Sequence, residues 1–496
     1  MSKAEDSVSA PESSTTAIDH TQAFRNGNAL QERARFVEAI ACYDRAICLK
    51  PDYMEAYRNR GNALRRLGRL AEAIASYDQA IALQPNVASY TNRGNVLREL
   101  ERTEEALDSY DRAVALDPRY SEIHNNRGSA LQELGRLEEA VESHRRAIAL
   151  KQGYAEAHNN LGVALTKLKR IEEAIAELNQ AIALKGDYHE AIWNRGLAHL
   201  LAGQYASGWR DYEARKRRKV PVGNRSFSKP LWLGDAEVEG KTILVHWEQG
   251  FGDTIQFSRY VKLLADAGAR VLFAPQRPLA RLMATLDPRV QIVDLDESLP
   301  EFDFHCPLLS LPLALKTGSR AIPCASRYLD FDREKASTWR AALGEKTKPF
   351  IGVAWAASPK PDRGRSIEFR TFAALLGDSC RFFSLQKDVS DRDRPLLATA
   401  DIVHLGDALG DFADTAAACA HMDLVISVDS VLAHVGGALG KPVWVLLPYV
   451  PDWRWMLDRS DTPWYPTMTL IRQRQRGDWE GTLRRVRLEL ASRFAR

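Results

Sequence analysis

Cysteine is scarce in this chain, six in 496 residues, and none of the six belongs to a Cys-x-x-Cys pair. Cys42, Cys48, Cys306, Cys324, Cys380 and Cys419 show no spacing suited to zinc or to a disulfide framework, so a disulfide-stapled scaffold is excluded and a reducing compartment fits. An excess of either charge is lacking too: 68 Lys and Arg stand against 65 Asp and Glu, a net +3. Bulk electrostatics therefore indicate neither a nucleic-acid nor a membrane partner, and any anion site must be local. No apolar run approaches the roughly eighteen residues of a membrane span. Residues 1–19 are rich in Ser, Thr and acidic residues without an apolar core, which predicts a disordered tail on a soluble, cytoplasmic protein. With 45% hydrophobic and 27% charged residues the remainder is ordinary globular material, enough for about three domains.

What the chain does have is a repeat. Gly27, Gly61, Gly94, Gly128, Gly162 and Gly196 follow one another at 34 residues, with one interval of 33. Ala39, Ala73, Ala106, Ala140 and Ala174 come twelve residues after the glycines, and Ala46, Ala80, Ala113, Ala147 and Ala181 seven further on. Small residues at those places let two helices approach closely, around a larger residue between them (Tyr43, Tyr77, Tyr110, His144, Leu178). Pro51, Pro85 and Pro118 stop the second helix. The pattern resembles the tetratricopeptide repeat, which implies an all-α superhelix with a peptide-binding groove over 20–222. Five repeats are clear. A sixth, placing Gly208 and Arg215 where alanines are expected, reads as a degenerate capping or docking repeat.

Asn59, Asn92, Asn126, Asn160 and Asn194 recur two residues before the glycines. Such a ladder of amides would hold an acceptor peptide by its backbone without reading its side chains; alternatively the asparagines only maintain the repeat. The basic run Arg215–Lys219 reads as a solvated helix end.

Breakers at Gly223, Pro230 and Gly234 mark a linker over 223–239, after which the 34-residue period is gone. Apolar runs at 242–246, 270–274 and 290–295 alternate with helical patterns, then, past a connection over 321–349, the same occurs at 350–355, 381–385, 424–428 and 443–447. This is a βαβ series twice over, predicting an α/β region of two Rossmann-like halves, 240–320 and 350–496, facing a cleft.

Two turns carry the candidate chemistry. Gly250-Phe251-Gly252-Asp253 ends the first predicted strand and opens a helix, with Asp253 the one carboxylate at the entrance. Asp253 is either a base for a hydroxyl or half of a capping box with Gln256. In the second half Asp429 and Ser430 end a strand and His434 lies one turn on; together with backbone N–H groups they suit a diphosphate, or they cap and pack. Arg363, Arg365 and Lys387, after the first two strands of that half, are placed to neutralise phosphates. The dinucleotide fingerprint is absent, since the third glycine and the ribose-binding acid are missing. The Asp-x-Asp spacings at 294/296, 330/332 and 391/393 are unremarkable in a chain this rich in Asp, and the aromatic cluster Trp453, Trp455, Trp464 and Tyr465 reads as edge packing.

Over 240–490 the chain resembles the GT-B glycosyltransferases of the heptosyltransferase-like group, on Gly250-Phe251-Gly252-Asp253 and Asp429-Ser430-Val431-Leu432-Ala433-His434. Repeats joined to such a region are similar in architecture to the protein O-GlcNAc transferases. The resemblance implies Asp253 as general base and Gly250, Gly252, Arg365, Lys387, Asp429, Ser430 and His434 around the donor, a nucleotide-diphosphate sugar, with no metal and no resident cofactor. Glu248 departs from the basic residue heptosyltransferases commonly carry there, which argues against a heptose donor. A helix N-terminus would lower the Asp253 pKa and make it a weak base. The expected function is transfer of a sugar to a hydroxyl, on a protein recruited by the repeats; the alternative is a non-catalytic repeat scaffold with a degenerate GT-B region.

Overall fold

The computed structural model describes residues 19–220, 222, 225–318, 322–357 and 364–494, in two compact units divided between Leu165 and Thr166. The expected tail, apart from Asp19, lies outside the described residues, as does Arg363.

In the first unit the repeat becomes antiparallel helix pairs, His20–Glu32 with Phe36–Leu49, Met54–Arg66 with Leu70–Leu83, Val87–Glu99 with Thr103–Leu116, and Ser121–Glu133 with Leu137–Leu150. The periodic glycines are there for contact. A Cβ on Gly27, Gly61 or Gly94 would lie 2.6 Å from the ring of Tyr43, Tyr77 or Tyr110, so the pair closes only over a hydrogen atom. The periodic alanines are fully buried for the same reason.

Polar chains join each pair to the next. Tyr43 Oη donates to Asn28 Oδ1 at 2.8 Å, and Asn59 Nδ2 of the following repeat donates to the same oxygen at 2.8 Å. Tyr77 and Asn92 meet on Asn62, and Tyr110 and Asn126 on Asn95. A second chain runs alongside: Arg60 bridges Asp44 and Ser76, Arg93 bridges Asp78 and Ser109, and Arg127 bridges Asp111 and Ser143.

The second unit contains the rest of the repeats and, among the described residues, ten strands. Its first sheet is β1 (Thr242–His246), β2 (Arg270–Ala274), β3 (Val290–Ile292) and β4 (Phe304–Pro307), parallel throughout in the order β3-β2-β1-β4. The second is β5 (Phe350–Ala354), β6 (Arg381–Ser384), β7 (Val403–His404), β8 (Leu424–Val428), β9 (Val443–Leu447) and β10 (Met468–Arg472), again parallel, in the order β10-β9-β8-β5-β6-β7. Strands β4, β7 and β10 are additions to the sequence reading. The expected linker is partly structured: Leu231 forms a parallel bridge to His305, and Trp232 is buried. The connection before β5 holds a helix, Arg333–Leu343, capped by Asp332.

Packing divides the chain before the repeats end, because the sixth repeat, His189–Leu201 and Tyr205–Tyr212, shares the core of the sheets. Trp209 meets Trp453, Phe257 and Trp464 edge-on at ring-centroid distances of 5.3–6.3 Å, and Tyr205 meets Trp464 at 6.0 Å. The aromatic cluster thus packs against the last repeat rather than at a free edge.

Arg215 corrects the reading of the basic run as solvated. Its side chain is wholly buried, donating to Glu248 Oε1 at 2.6 Å, Glu213 Oε1 at 2.6 Å and Ser310 Oγ at 2.9 Å. It stands at an alanine position of the repeat because there it reaches the turn after β1, and Glu248 is the acid it finds.

Two outcomes follow. Gly94→Ala forces the Tyr110 ring aside and is expected to cost about 1–3 kcal/mol, read as a lower urea midpoint at unchanged m-value. Arg215→Met leaves Glu248 buried without its cation and should cost about 3–5 kcal/mol, part of which returns in Arg215→Met/Glu248→Gln, measured by thermal unfolding.

Candidate functional site

In a sheet whose strand order reverses, the carboxyl ends of the two strands at the reversal spread apart and leave a crevice. The reversals here lie between β1 and β4 and between β5 and β8. The Gly250–Asp253 turn follows β1, and Asp429 follows β8. Each of the two motifs thus stands at the reversal of its own sheet.

The first turn opens the helix Phe251–Asp266. Gly250 is the N-cap, and Asp253, the third helical residue, accepts the Gly250 N–H on Oδ2 at 3.0 Å. The capping pair is therefore Gly250 with Asp253, correcting the pairing of Asp253 with Gln256. Gln256 is buried and accepts from Arg454 Nε at 2.8 Å, while its Nε2 has no partner among the described residues. Arg454 Nη2 reaches Asp253 Oδ1 at 2.5 Å, and its Nη1 pairs with Asp452 Oδ1 at 2.7 Å.

Asp253 also corrects the expectation of a lowered pKa. Burial pushes its carboxyl above the usual range, Arg454 opposes this, and the neighbouring Asp452 carboxylate adds to it. Desolvation outweighs the helix end. The result is a stronger base than an exposed N-terminal aspartate.

The second motif opens the helix Val431–Ala438, whose N-cap is Ser430. Ser430 does not cap with its side chain; its Oγ lies 2.8 Å from Ser427 Oγ. Asp429 is buried, and its Oδ2 has no hydrogen-bond donor among the described residues, the Nη1 of Arg365 standing at 3.8 Å. Burial and Asp452 raise its pKa. An acceptor oxygen left over in a buried site is one a ligand can use.

His434 is buried, its Nδ1 2.8 Å from Tyr465 Oη and its ring stacked on Trp455 at 5.5 Å. Burial and the guanidinium groups of Arg454, Arg259 and Arg365 hold it neutral, well below the usual histidine range. It also explains Gly252: a Cβ there would lie 2.8 Å from His434 Cδ2. The second glycine lets the two motifs touch.

Asp253, Asp429, Gly250, Gly252, Ser430, His434 and Arg365 are thus brought to one region. Lys387 is not tied to it; exposed after β6, it donates to the Gly410 carbonyl at 3.0 Å. Asn59, Asn92, Asn126 and Asn160 are half-buried, each with its amide nitrogen on a side chain of the preceding repeat, and Asn194 is half-buried on the sixth. Arg454 and Asp452 escaped the sequence reading. The signal was the position of their loop, which follows the carboxyl end of β9, where this fold places ligand contacts.

The Asp-x-Asp residues have other partners. Asp294 and Asp296 pair with Arg277, Asp330 with Arg327, and Asp393 accepts from Trp355 Nε1.

Comparison with known proteins bears on the repeats. Two family models match, "TPR repeat" over 94–135, 133–169 and 164–203, and "Tetratricopeptide repeat" over 24–88. Protein FlbA of Caulobacter vibrioides is 26% identical over 318 residues, 58% of this chain and 52% of its own, so the chain spans about half the length of that curated relative. Among solved structures, YrrB, described as a TPR protein with an unusual peptide-binding site, is 27% identical over 35% of this chain and 90% of its own, with a TM-score of 0.32. A tetratricopeptide repeat protein from Parabacteroides merdae is 19% identical over 41% of this chain and 81% of its own, with a TM-score of 0.38. No helix among the described residues is long and apolar enough to cross a membrane. The N-terminal 200 or so residues are tetratricopeptide repeats, a class that binds peptide or protein partners.

Proposed function

We infer that the second unit is a GT-B glycosyltransferase, moving a sugar from a nucleotide-diphosphate sugar to a hydroxyl on a protein presented by the repeats. The observation that supports this reading best is that Asp253, at the strand reversal of one sheet, and Asp429, at that of the other, share the charged neighbours Arg454, Asp452 and Arg365.

In that reading Asp253 takes the proton of the acceptor hydroxyl as its oxygen attacks the anomeric carbon. The bond from that carbon to the phosphate oxygen breaks, and the nucleoside diphosphate leaves with the electron pair, inverting the centre. The N-terminus of Val431–Ala438 and the Arg365 guanidinium face the charge developing on the leaving group. Ser430 and the neutral His434 line the donor side, and the asparagine ladder lies on the repeats that recruit the acceptor.

A second reading, a repeat scaffold with a non-catalytic α/β region, has its own observation: both Asp253 oxygens already have donors, the Gly250 N–H and Arg454. Turnover separates the two. Wild type is expected to transfer from one member of a UDP-, GDP- and ADP-sugar panel to lysate protein, with and without EDTA. Asp253→Asn should lose at least about 100-fold in rate while keeping donor affinity by calorimetry. Donor binding without turnover in wild type would favour the scaffold.

A further inference from the structure

We propose that Arg454 is a positioning residue for Asp253, and that the sixth tetratricopeptide repeat sets its place. This rests on the transferase reading for its consequence, though not for its geometry.

Arg454 lies on a single 3-10 turn, Trp453–Trp455, whose N-cap Asp452 accepts the Arg454 N–H at 3.3 Å. One turn of that kind has too few backbone bonds to hold its own orientation. The repeat braces it from outside. Trp453 is wedged edge-on against Trp209 at 5.3 Å and Tyr212 at 6.1 Å. On the other side of Arg454, Met456 turns the chain at φ 55° and ψ −171°, a conformation a side chain adopts only when its surroundings impose it. Part of those surroundings is the same repeat, since Tyr205 Oη donates to Met456 Sδ at 3.5 Å and Met456 Cε packs over Gly203; the rest is Arg472, which donates to the carbonyls of Trp455 at 2.6 Å and Met456 at 2.9 Å. Residues 203–212 therefore touch both flanks of Arg454. Between them the guanidinium makes its three bonds, to Asp253, Asp452 and Gln256.

Among the described residues Arg454 is the cation in contact with Asp253. Around it stand Asp452 on the same loop, Arg365 after β5, Tyr212 of the repeat and, from the second motif, Asp429, which shares Arg454, and the neutral His434, which packs on Gly252. Of these, Asp452 favours the protonated acid and the guanidinium groups favour the carboxylate. Displacing Arg454 leaves Asp253 buried without its contacting cation, so its titration moves to higher pH. The acidic limb of a reaction needing the carboxylate moves with it.

The test uses the full chain with 13C-labelled aspartate, the Asp253 carboxyl resonance being assigned from Asp253→Asn. Arg454→Met is expected to raise its midpoint by about 1–3 pH units, with Arg454→Lys recovering part of the shift. Trp209→Ala should move the midpoint the same way, Trp209→Phe less, and Trp209→Ala/Arg454→Met no further than Arg454→Met alone. In turnover, kcat should fall with donor KM held, and the acidic limb should shift by the same interval. The proposal is overturned if Trp209→Ala, with wild-type circular dichroism, leaves the Asp253 midpoint unmoved or adds to Arg454→Met. Should Trp209→Ala fail to fold, Tyr205→Phe and Met456→Ala loosen the other flank under the same criteria. A wild type without turnover would sink glycosyl transfer, while the titration would still decide whether the repeat holds Arg454.

Discussion

Eight consecutive residues of one helix, Thr254–Val261, are buried, and this is the constraint around which the second unit is built. A helix covered on every side cannot turn its polar residues to solvent, so they look for partners inside, and most of their polar atoms find one. Thr254 donates to Gln276, Ser258 to the Ile255 carbonyl, and Gln256 accepts from Arg454. Arg259, fully enclosed, donates to the carbonyls of Trp464, Pro323 and Gln256 and to Tyr328 Oη. Those partners come from the loop after β9, from the connection before β5 and from the turn after β2. One buried helix thereby fixes how both sheets meet, and Asp253 rides at its first turn.

The same burial explains the electrostatics. In water, three carboxylates beside two guanidinium groups would be an unremarkable surface network. Enclosed, the Asp253 and Asp429 carboxyls are harder to ionise, and the histidine of the second motif is held neutral. The cluster is thus a place where proton positions depend on the charges that stand beside them.

Much of this was legible in the sequence, and the exceptions have physical causes. The repeats announce themselves because a close helix contact demands glycine and alanine at fixed intervals. Strands β1, β2, β8 and β9 were readable end to end because parallel strands covered on both faces are unbroken apolar runs. Strand β4 mixes Phe304, His305, Cys306 and Pro307, and β7 is two residues long, so neither carries such a run. The site carboxylates could be found because a strand end is a position in sequence as well as in space. For Arg454 the position of its loop after β9 was the one signal, and its pairing with Asp253 was not legible, since the two meet across 201 residues of chain and loops carry no period to register such a meeting. Arg215 was misread because a basic run looks the same whether its neighbour is water or a buried glutamate.

The docking of the sixth repeat has a consequence for how the protein can vary. In the first three repeats a glycine lies under a tyrosine ring, but at Gly196 a Cβ would strike the backbone of Asp211 and Tyr212. That final pair is closed more tightly, and its outer face is already spent on Trp453 and Phe257. A further unit spliced in after it would part Trp209 and Arg215 from their partners, whereas units gained or lost near His20 disturb only neighbours of their own kind. The stack can change length anywhere short of its sixth repeat, which lets the partner-binding surface diversify without reopening the junction with the sheets.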